Sequence, residues 1–286
     1  MTGLFCFGFG FSARALAARL KKKGWPVTGT SRDPDKCAAL EAEGWSSLPF
    51  DSAGEVAAAL GANSHVLVSV PPGEFGDPVL GSYGDALIAN SPSIRWIGYL
   101  STTAVYGDRG GDWVDETSAL SPTTPRGRRR LAAEQGWLAL HSVHGLPLHV
   151  FRLAGIYGPG GNQLIALRAG VAKSIVKPGQ VFSRIHVDDI AGALEASMAR
   201  PNPGRCYNVC DDEPAPPQDV VAYAAMLLGT VPPPSTPFEE AQLTGMSKSF
   251  YEESKRVSNR RMKEELGHRL LYPTYREGLL ALNADL

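Results

Sequence analysis

An α/β fold, with a doubly wound parallel sheet and a small C-terminal α+β lobe, is predicted by three observations. The apolar run Leu4–Phe7 leads through Gly8, Gly10 and Ala13 into Leu16, Ala17 and Leu20 at helical spacing, which reads as strand, tight turn and helix. The same alternation of short apolar runs with helix-period segments recurs as far as Leu100. Residues 65–70, HVLVSV, form a continuous apolar run of the kind found where both faces of a parallel strand are buried.

At the first turn, Gly8 lets the chain reverse, Gly10 lets backbone N–H groups approach a phosphate, and the small Ala13 lets the helix pack on the strand. Phe11 and Ser12 lie between them and complete the candidate cradle. Between a strand and a helix, G-x-G-x-x-A reads as the pyrophosphate turn of a Rossmann-type dinucleotide fold, although a Gly-rich turn of another α/β protein would share it. The helix ends in Lys21, Lys22, Lys23 and Gly24, cations at the negative end of its dipole before a glycine cap. Strand two, 25–30, ends in Thr-Ser-Arg, where such folds choose their cofactor. An NAD site would place an acid here for the ribose 2′-hydroxyl. Ser31 and Arg32 offer a hydroxyl and a guanidinium to a 2′-phosphate, so NADP is expected, with NAD the alternative.

Asp33 precedes Pro34 and reads as the N-cap of a helix over 35–43. A third strand, 45–50, ends in Asp51, an acid that can meet an adenine amino group or stand as a solvated turn residue. After a helix over 53–60 the strand 65–70 stops at Pro71-Pro72-Gly73, which puts Pro71 at the carboxyl edge where ligands sit in doubly wound sheets; His65, at the other end, reads as structural. A helix over 83–89 and a strand over 94–100 follow, closed by Ser101-Thr102-Thr103-Ala104-Val105-Tyr106-Gly107. Hydroxyls at a central strand end face whatever lies beside the cofactor, or satisfy backbone groups in a turn.

The chain has 286 residues, with 28 basic against 29 acidic side chains, so bulk charge points to neither nucleic acid nor a membrane surface. No apolar run reaches the 18 or so residues of a membrane span, and a cytoplasmic protein is expected. Cys6, Cys37, Cys206 and Cys210 lack CxxC spacing; no metal site is expected, and Cys206 and Cys210 read as small packed residues in a strand.

Six segments in order, GFGFSA, STTAVYG, FRLAGIYGPG (151–160), HVDDIA (186–191), NVCDDEP (208–214) and KRVSNRRMKEELG (255–267), resemble the extended short-chain dehydrogenase/reductase family of nucleotide-sugar epimerases and dehydratases. The resemblance covers nearly the whole chain, while Gly8-x-Gly10-x-x-Ala13 departs from the usual GxxGxxG and is closer to atypical members. It implies a Rossmann domain over 1–160 plus 186–210 and a substrate lobe over 161–185 and 211–286 that does not fold alone. That family pairs a Ser or Thr after the STTAVYG strand with a Tyr-xxx-Lys on the next helix, the tyrosine moving a proton while hydride passes to or from the nicotinamide. Carried over, Thr102 takes the hydroxyl position beside Ser101, and Glu134 matches the glutamate that follows, but Arg126 stands at the tyrosine position and Arg130 at the lysine position. An arginine has a pKa above about 12, so Arg126 cannot release a proton near neutral pH, whereas Arg130 can still hold the nicotinamide ribose.

Tyr106 and Tyr157 are the nearby phenols that could replace the acid, although both match positions that pack in the family. His186-Val187-Asp188-Asp189 reads as a strand end and helix cap, with a catalytic histidine as the lesser alternative. A strand pair is expected around Lys177-Pro178-Gly179, and helices over 258–266 and 274–282. The expected activity is hydride transfer on a sugar nucleotide or similar anionic, hydroxylated small molecule. The competing expectation is an NADP-binding sensor that kept the fold and lost the chemistry. A homodimer is implied by the resemblance alone.

Overall fold

The computed structural model describes residues 2–243 and 245–286. Strands β1 (Leu4–Phe7), β2 (Val27–Ser31) and β3 (Ser46–Pro49) alternate with helices α1 (Phe11–Lys21) and α2 (Pro34–Ala42), and α3 (Ala53–Ala62), β4 (His65–Val68), α4 (Pro78–Ala89) and β5 (Trp96–Thr102) continue the pattern. After a 3-10 turn at Thr103–Tyr106 come β6 (Trp113–Val114), α5 (Pro125–His144), β7 (Leu148–Leu153), β8 (Gly155–Tyr157), α6 (Gln163–Arg168), β9 (Ser174–Val176), β10 (Arg184–His186), α7 (Val187–Ala199) and β11 (Cys206–Val209). Then follow α8 (Pro217–Leu227), β12 (Ser235–Pro237), α9 (Gly245–Tyr251), β13 (Arg256–Val257), α10 (Arg260–Leu266) and α11 (Tyr275–Ala284).

A parallel sheet runs in the order β11-β7-β5-β4-β1-β2-β3, the doubly wound arrangement expected. Leu4 pairs with Val27 on one side and His65 on the other, so the strand order reverses at β1 and opens a crevice at the carboxyl ends of β1, β2 and β4. β1 and β4 are buried along their whole length, which is why both read as unbroken apolar runs. Gly29 on β2 is there for space: a Cβ would come within 2.5 Å of the Phe9 ring. One core gathers Phe5, Phe7, Val66, Val68, Tyr83, Ile97, Tyr99, Trp137 and Leu148.

By backbone contacts the chain divides into two compact units, 1–102 with 128–152 and 190–207, and 103–127 with 153–189 and 208–286. The second unit has its own core, in which Tyr157 and Leu164 meet Val220 and Ala224 of α8 and Tyr275 and Leu279 of α11. Among the described residues no helix is long and apolar enough to cross a membrane.

Several boundaries move for local reasons. Helix α4 starts at Pro78 rather than at 83, because the Asp77 carboxylate accepts the N–H groups of Val79 and Leu80 and proline suits the first helical position. The strand pair around Lys177-Pro178-Gly179 is a correction. The turn forms, with Gln180 N–H donating to the Lys177 carbonyl, but β9 pairs with β12 and β10 with β8, so the strands flanking the turn diverge. The basic end of α1 is also more than a dipole cap. Lys21 donates to the Gly44 carbonyl at 2.8 Å and lies over the Trp45 ring, and Lys23 pairs with Glu195.

Candidate functional site

The turn between β1 and α1 is held from both neighbouring strands. Gly8 has φ +80, its N–H donates to Thr30 Oγ1 at 3.0 Å, and its carbonyl accepts from Ser69 Oγ at 3.0 Å. A Cβ at Gly8 would lie 2.9 Å from both Ser69 Oγ and Val70 Cγ2, so glycine is required for the angle and for the space. Gly10 caps α1 with no side-chain hydrogen bond, and a Cβ added there would meet nothing within 4 Å. The bare face of Gly10 and the positive end of α1 therefore look onto open space, the form of a cradle for an anionic ligand. Ser12 and Ala13 are buried behind it, and Phe11 is half-exposed on the first turn.

Around this turn is a cavity of about 240 Å³ floored by Gly8, Phe9 and Gly10. Thr30, Ser31, Arg32 and Lys36 line it from β2 and α2, Phe50 from the end of β3, and Ser69, Val70, Pro71 and Pro78 from β4 and the start of α4. Asp33, the acid nearest Arg32 in the chain, is absorbed as the cap of α2, accepting from the Asp35 and Lys36 N–H groups at 3.0 and 3.4 Å. Ser31 Oγ accepts from the Asp33 N–H at 3.1 Å, which leaves its own proton to donate. The lining thus carries two cations and, among the described residues, no acid. This donor set fits a dinucleotide phosphate at Gly10 and a second, 2′-phosphate at Arg32 and Lys36.

Asp51 does not join this group; it is exposed in the turn after β3, beyond Phe50, whose carbonyl takes the Tyr83 hydroxyl proton. Ser101, Thr102 and Arg130 gather instead at the end of β5. Ser101 Oγ donates to Glu134 Oε2 at 2.8 Å, and Arg152 Nε donates to both oxygens of Glu134 at 3.2 and 3.3 Å, all three side chains being buried. Arg130, also buried, donates to the Leu100 carbonyl at 2.7 Å and to the Tyr99 hydroxyl at 3.3 Å. Burial pushes the Tyr99 phenol up to about 12 against the opposing charge of Arg130, so Tyr99 stays protonated. Thr102 is half-buried as the last residue of β5, and Arg126 is exposed in the first turn of α5.

The two alternative phenols pack. Tyr106 is fully buried and donates to Asn208 Oδ1 at 2.7 Å, and Tyr157 donates to the Thr274 carbonyl at 3.5 Å, its pKa raised by burial. His186 ends β10 as expected, but it rather than an aspartate caps α7, its Nδ1 accepting the Asp188 N–H at 3.2 Å. Asp189 accepts the N–H groups of Leu271 and Tyr272 and so fastens the segment before α11. Cys210 is buried with its Sγ donating to the Val257 carbonyl, and among the described residues no group of three His, Cys, Asp or Glu side chains could hold a metal ion.

Sequence reasoning missed Lys36, Thr30 and Ser69. The signal for Lys36 was its place four residues after Arg32 at the start of a capped helix; for Thr30 and Ser69 it was a hydroxyl closing an otherwise apolar strand.

Comparison with known proteins agrees with this architecture. Residues 88–210 match the model of the NAD dependent epimerase/dehydratase family. Protein YeeZ of Escherichia coli (strain K12) is 30% identical over 281 residues, spanning 93% of this chain and 94% of that protein. A conserved protein from Silicibacter pomeroyi DSS is 55% identical, with a TM-score of 0.92 over 100% of this chain and 99% of that one. The human epimerase family protein SDR39U1, solved with NADPH, shares the fold at a TM-score of 0.79 and 20% identity, with full coverage of both chains. Built on a sheet that reverses at β1 over a glycine turn, and matched along nearly its full length by these relatives, this chain belongs to the NAD-dependent epimerase/dehydratase family.

Proposed function

We propose that the chain binds NADP(H) in the cavity around Gly8 and Gly10, and that it exchanges hydride with a sugar nucleotide or a similar anionic, hydroxylated small molecule. One observation carries this reading: Arg32 and Lys36 line the cavity beyond β2 while Asp33, the acid that could have favoured NAD, is engaged as a helix cap. When bound, the nicotinamide supplies the hydride that the family's chemistry moves. The backbone amides of Phe11 and Ser12 bind the pyrophosphate, Arg32 and Lys36 the 2′-phosphate, and Ser31 donates to it. Thr102 orients a substrate hydroxyl. Arg130, fixed by the Leu100 carbonyl, keeps a positive charge at the end of β5 for the nicotinamide ribose. The second unit selects the substrate.

A second reading has its own support. With Arg126 where the family places its proton donor, and with Tyr106 and Tyr157 both engaged in packing, the cofactor would be held as a signal rather than used. Two measurements separate these ideas. Titration with NADPH and NADH should show Arg32→Ala and Lys36→Ala each weakening NADPH about tenfold or more, as loss of a charge-assisted hydrogen bond implies, while NADH binding is unchanged. Equal loss for both cofactors would overturn the assignment of the 2′-phosphate. Single-turnover hydride transfer to a panel of sugar nucleotides and carbonyl compounds then tests catalysis: transfer by the natural chain supports an enzyme, whereas transfer gained only in Arg126→Tyr identifies the sensor.

A further inference from the structure

Phe75 stands out among the large apolar side chains because it is fully exposed, at 105% of its reference area. It sits at the tip of the turn between β4 and α4, where the Gly73 N–H donates to the Gly76 carbonyl at 2.8 Å and the Gly76 N–H returns to the Gly73 carbonyl at 3.4 Å. The turn is pinned at both roots. On the β4 side, Ser69 N–H and Oγ bond the Phe7 carbonyl at 2.9 and 3.2 Å. On the α4 side, buried Asp77 caps the helix and accepts from Trp137 Nε1 at 3.0 Å. The roots of the turn are therefore fixed, and its two-residue tip carries the Phe75 ring into solvent between them. Pro71 and Pro78, which flank the turn, both line the cavity around Gly10.

We propose that Phe75 is a binding residue that covers the adenine of the bound dinucleotide. This rests on the reading of the cavity as an NADP(H) site. The occupant follows from chemistry already placed there. The ribose that carries a 2′-phosphate also carries adenine, so a phosphate at Arg32 and Lys36 brings the base to the same end of the cavity, among Phe50, Val70 and Pro71. Phe50 and Val70 offer the base an apolar wall, and the phenyl ring of Phe75, carried on the turn between the cavity-lining Pro71 and Pro78, would add cover by stacking. Gly73 and Gly76 leave the backbone on either side of the tip bare: a Cβ at Gly76 would meet nothing within 4 Å, and one at Gly73 only the Gly76 carbonyl, at 4.0 Å.

The test is calorimetric titration of the full chain and of Phe75→Ala and Phe75→Trp with NADPH, adenosine 2′,5′-bisphosphate and nicotinamide mononucleotide. Stacking predicts that Phe75→Ala weakens NADPH and the adenosine bisphosphate by the same factor, roughly tenfold, leaves nicotinamide mononucleotide unaffected, and that Phe75→Trp restores or tightens both. Because the side chain has no packing in the free protein, thermal unfolding of Phe75→Ala without ligand should match the natural chain. Unchanged affinity of Phe75→Ala for the adenosine bisphosphate overturns the proposal. So does a substitution that shifts only the oligomeric state in sedimentation, which would make the ring an interface between copies. If the natural chain binds none of the three ligands, the NADP(H) reading fails and this inference with it; if it binds NADPH but is indifferent to residue 75, this inference alone fails.

Discussion

Glu134 and Arg152 bury opposite charges beneath the end of β5, and Ser101 spends its only proton on the same carboxylate. Two ions removed from water are tolerated because each satisfies the other, which makes the loss of one member far more damaging than the pair is helpful. Glu134→Gln should therefore cost about 3–5 kcal/mol in urea unfolding, since Arg152 is left charged and buried. Ser101→Ala, which removes one neutral donor from a carboxylate still held by Arg152, should cost only about 1 kcal/mol. Comparable losses in the two variants would show that the carboxylate depends on Ser101 as much as on Arg152. What the sequence makes visible splits along the same line. Gly8, Gly10, Ser31 and Arg32 were legible because their meaning is local, set by neighbours within one turn of chain. Arg130 was legible as a cation but not in its engagement with the Leu100 carbonyl, which requires a helix and a strand remote in sequence to meet.

At the scale of elements, the β1–α1 turn is a joint clamped by one hydroxyl from β2 and one from β4. Gly8→Ala forces an alanine to φ +80, which costs about 1–2 kcal/mol, and drives its methyl against Ser69 and Val70. The expected result is a loss of at least about 2 kcal/mol in stability together with much weaker NADPH binding, measured by unfolding and titration on the same sample. Preserved binding with normal stability would mean that the turn relaxes without cost. Thr30→Val, which keeps shape and removes the acceptor for the Gly8 N–H, should reproduce about 1 kcal/mol of the stability loss without steric clash. Pattern alone found the alternation of strand and helix, because apolar periodicity reports burial directly. It misread residues 173–187 for a physical reason: Lys177-Pro178-Gly179 does specify a turn, but which strand pairs with which is decided by partners some 60 residues away, with β9 on β12, and by β10 on β8.

At the scale of the whole molecule, the two units carry buried titratable groups whose signs oppose. In the first, burial lowers His65 and His149 to about 4, below the usual 6.5. His149 shows why: its Nε2 accepts the Asn202 N–H at 2.8 Å, so a proton there would both charge a buried ring and break a hydrogen bond. A pKa depressed on folding means the unfolded chain binds the proton more readily, so the stability held by these histidines is complete above about 6.5 and drains as pH falls toward 4. In the second unit, Asp211 is raised to about 8 because burial outweighs the attraction of Arg184, with Asp212 and Glu213 adding repulsion. Its Oδ2 finds no hydrogen-bond partner among the described residues. Here the folded form binds the proton more tightly, so stability is complete below the unfolded pKa near 3.8 and is lost as pH rises through about 8. Each such group contributes a slope of about 1.4 kcal/mol per pH unit inside its window. Between pH 6.5 and 8 the histidines are silent and Asp211 is not, so unfolding of the natural chain should weaken with rising pH while Asp211→Asn, which keeps an acceptor and cannot ionise, should be flat there. Unfolding curves recorded at half-unit steps from pH 5 to 9 decide the matter: a natural chain and an Asp211→Asn variant that decline in parallel above pH 6.5 would place the alkaline sensitivity somewhere other than Asp211.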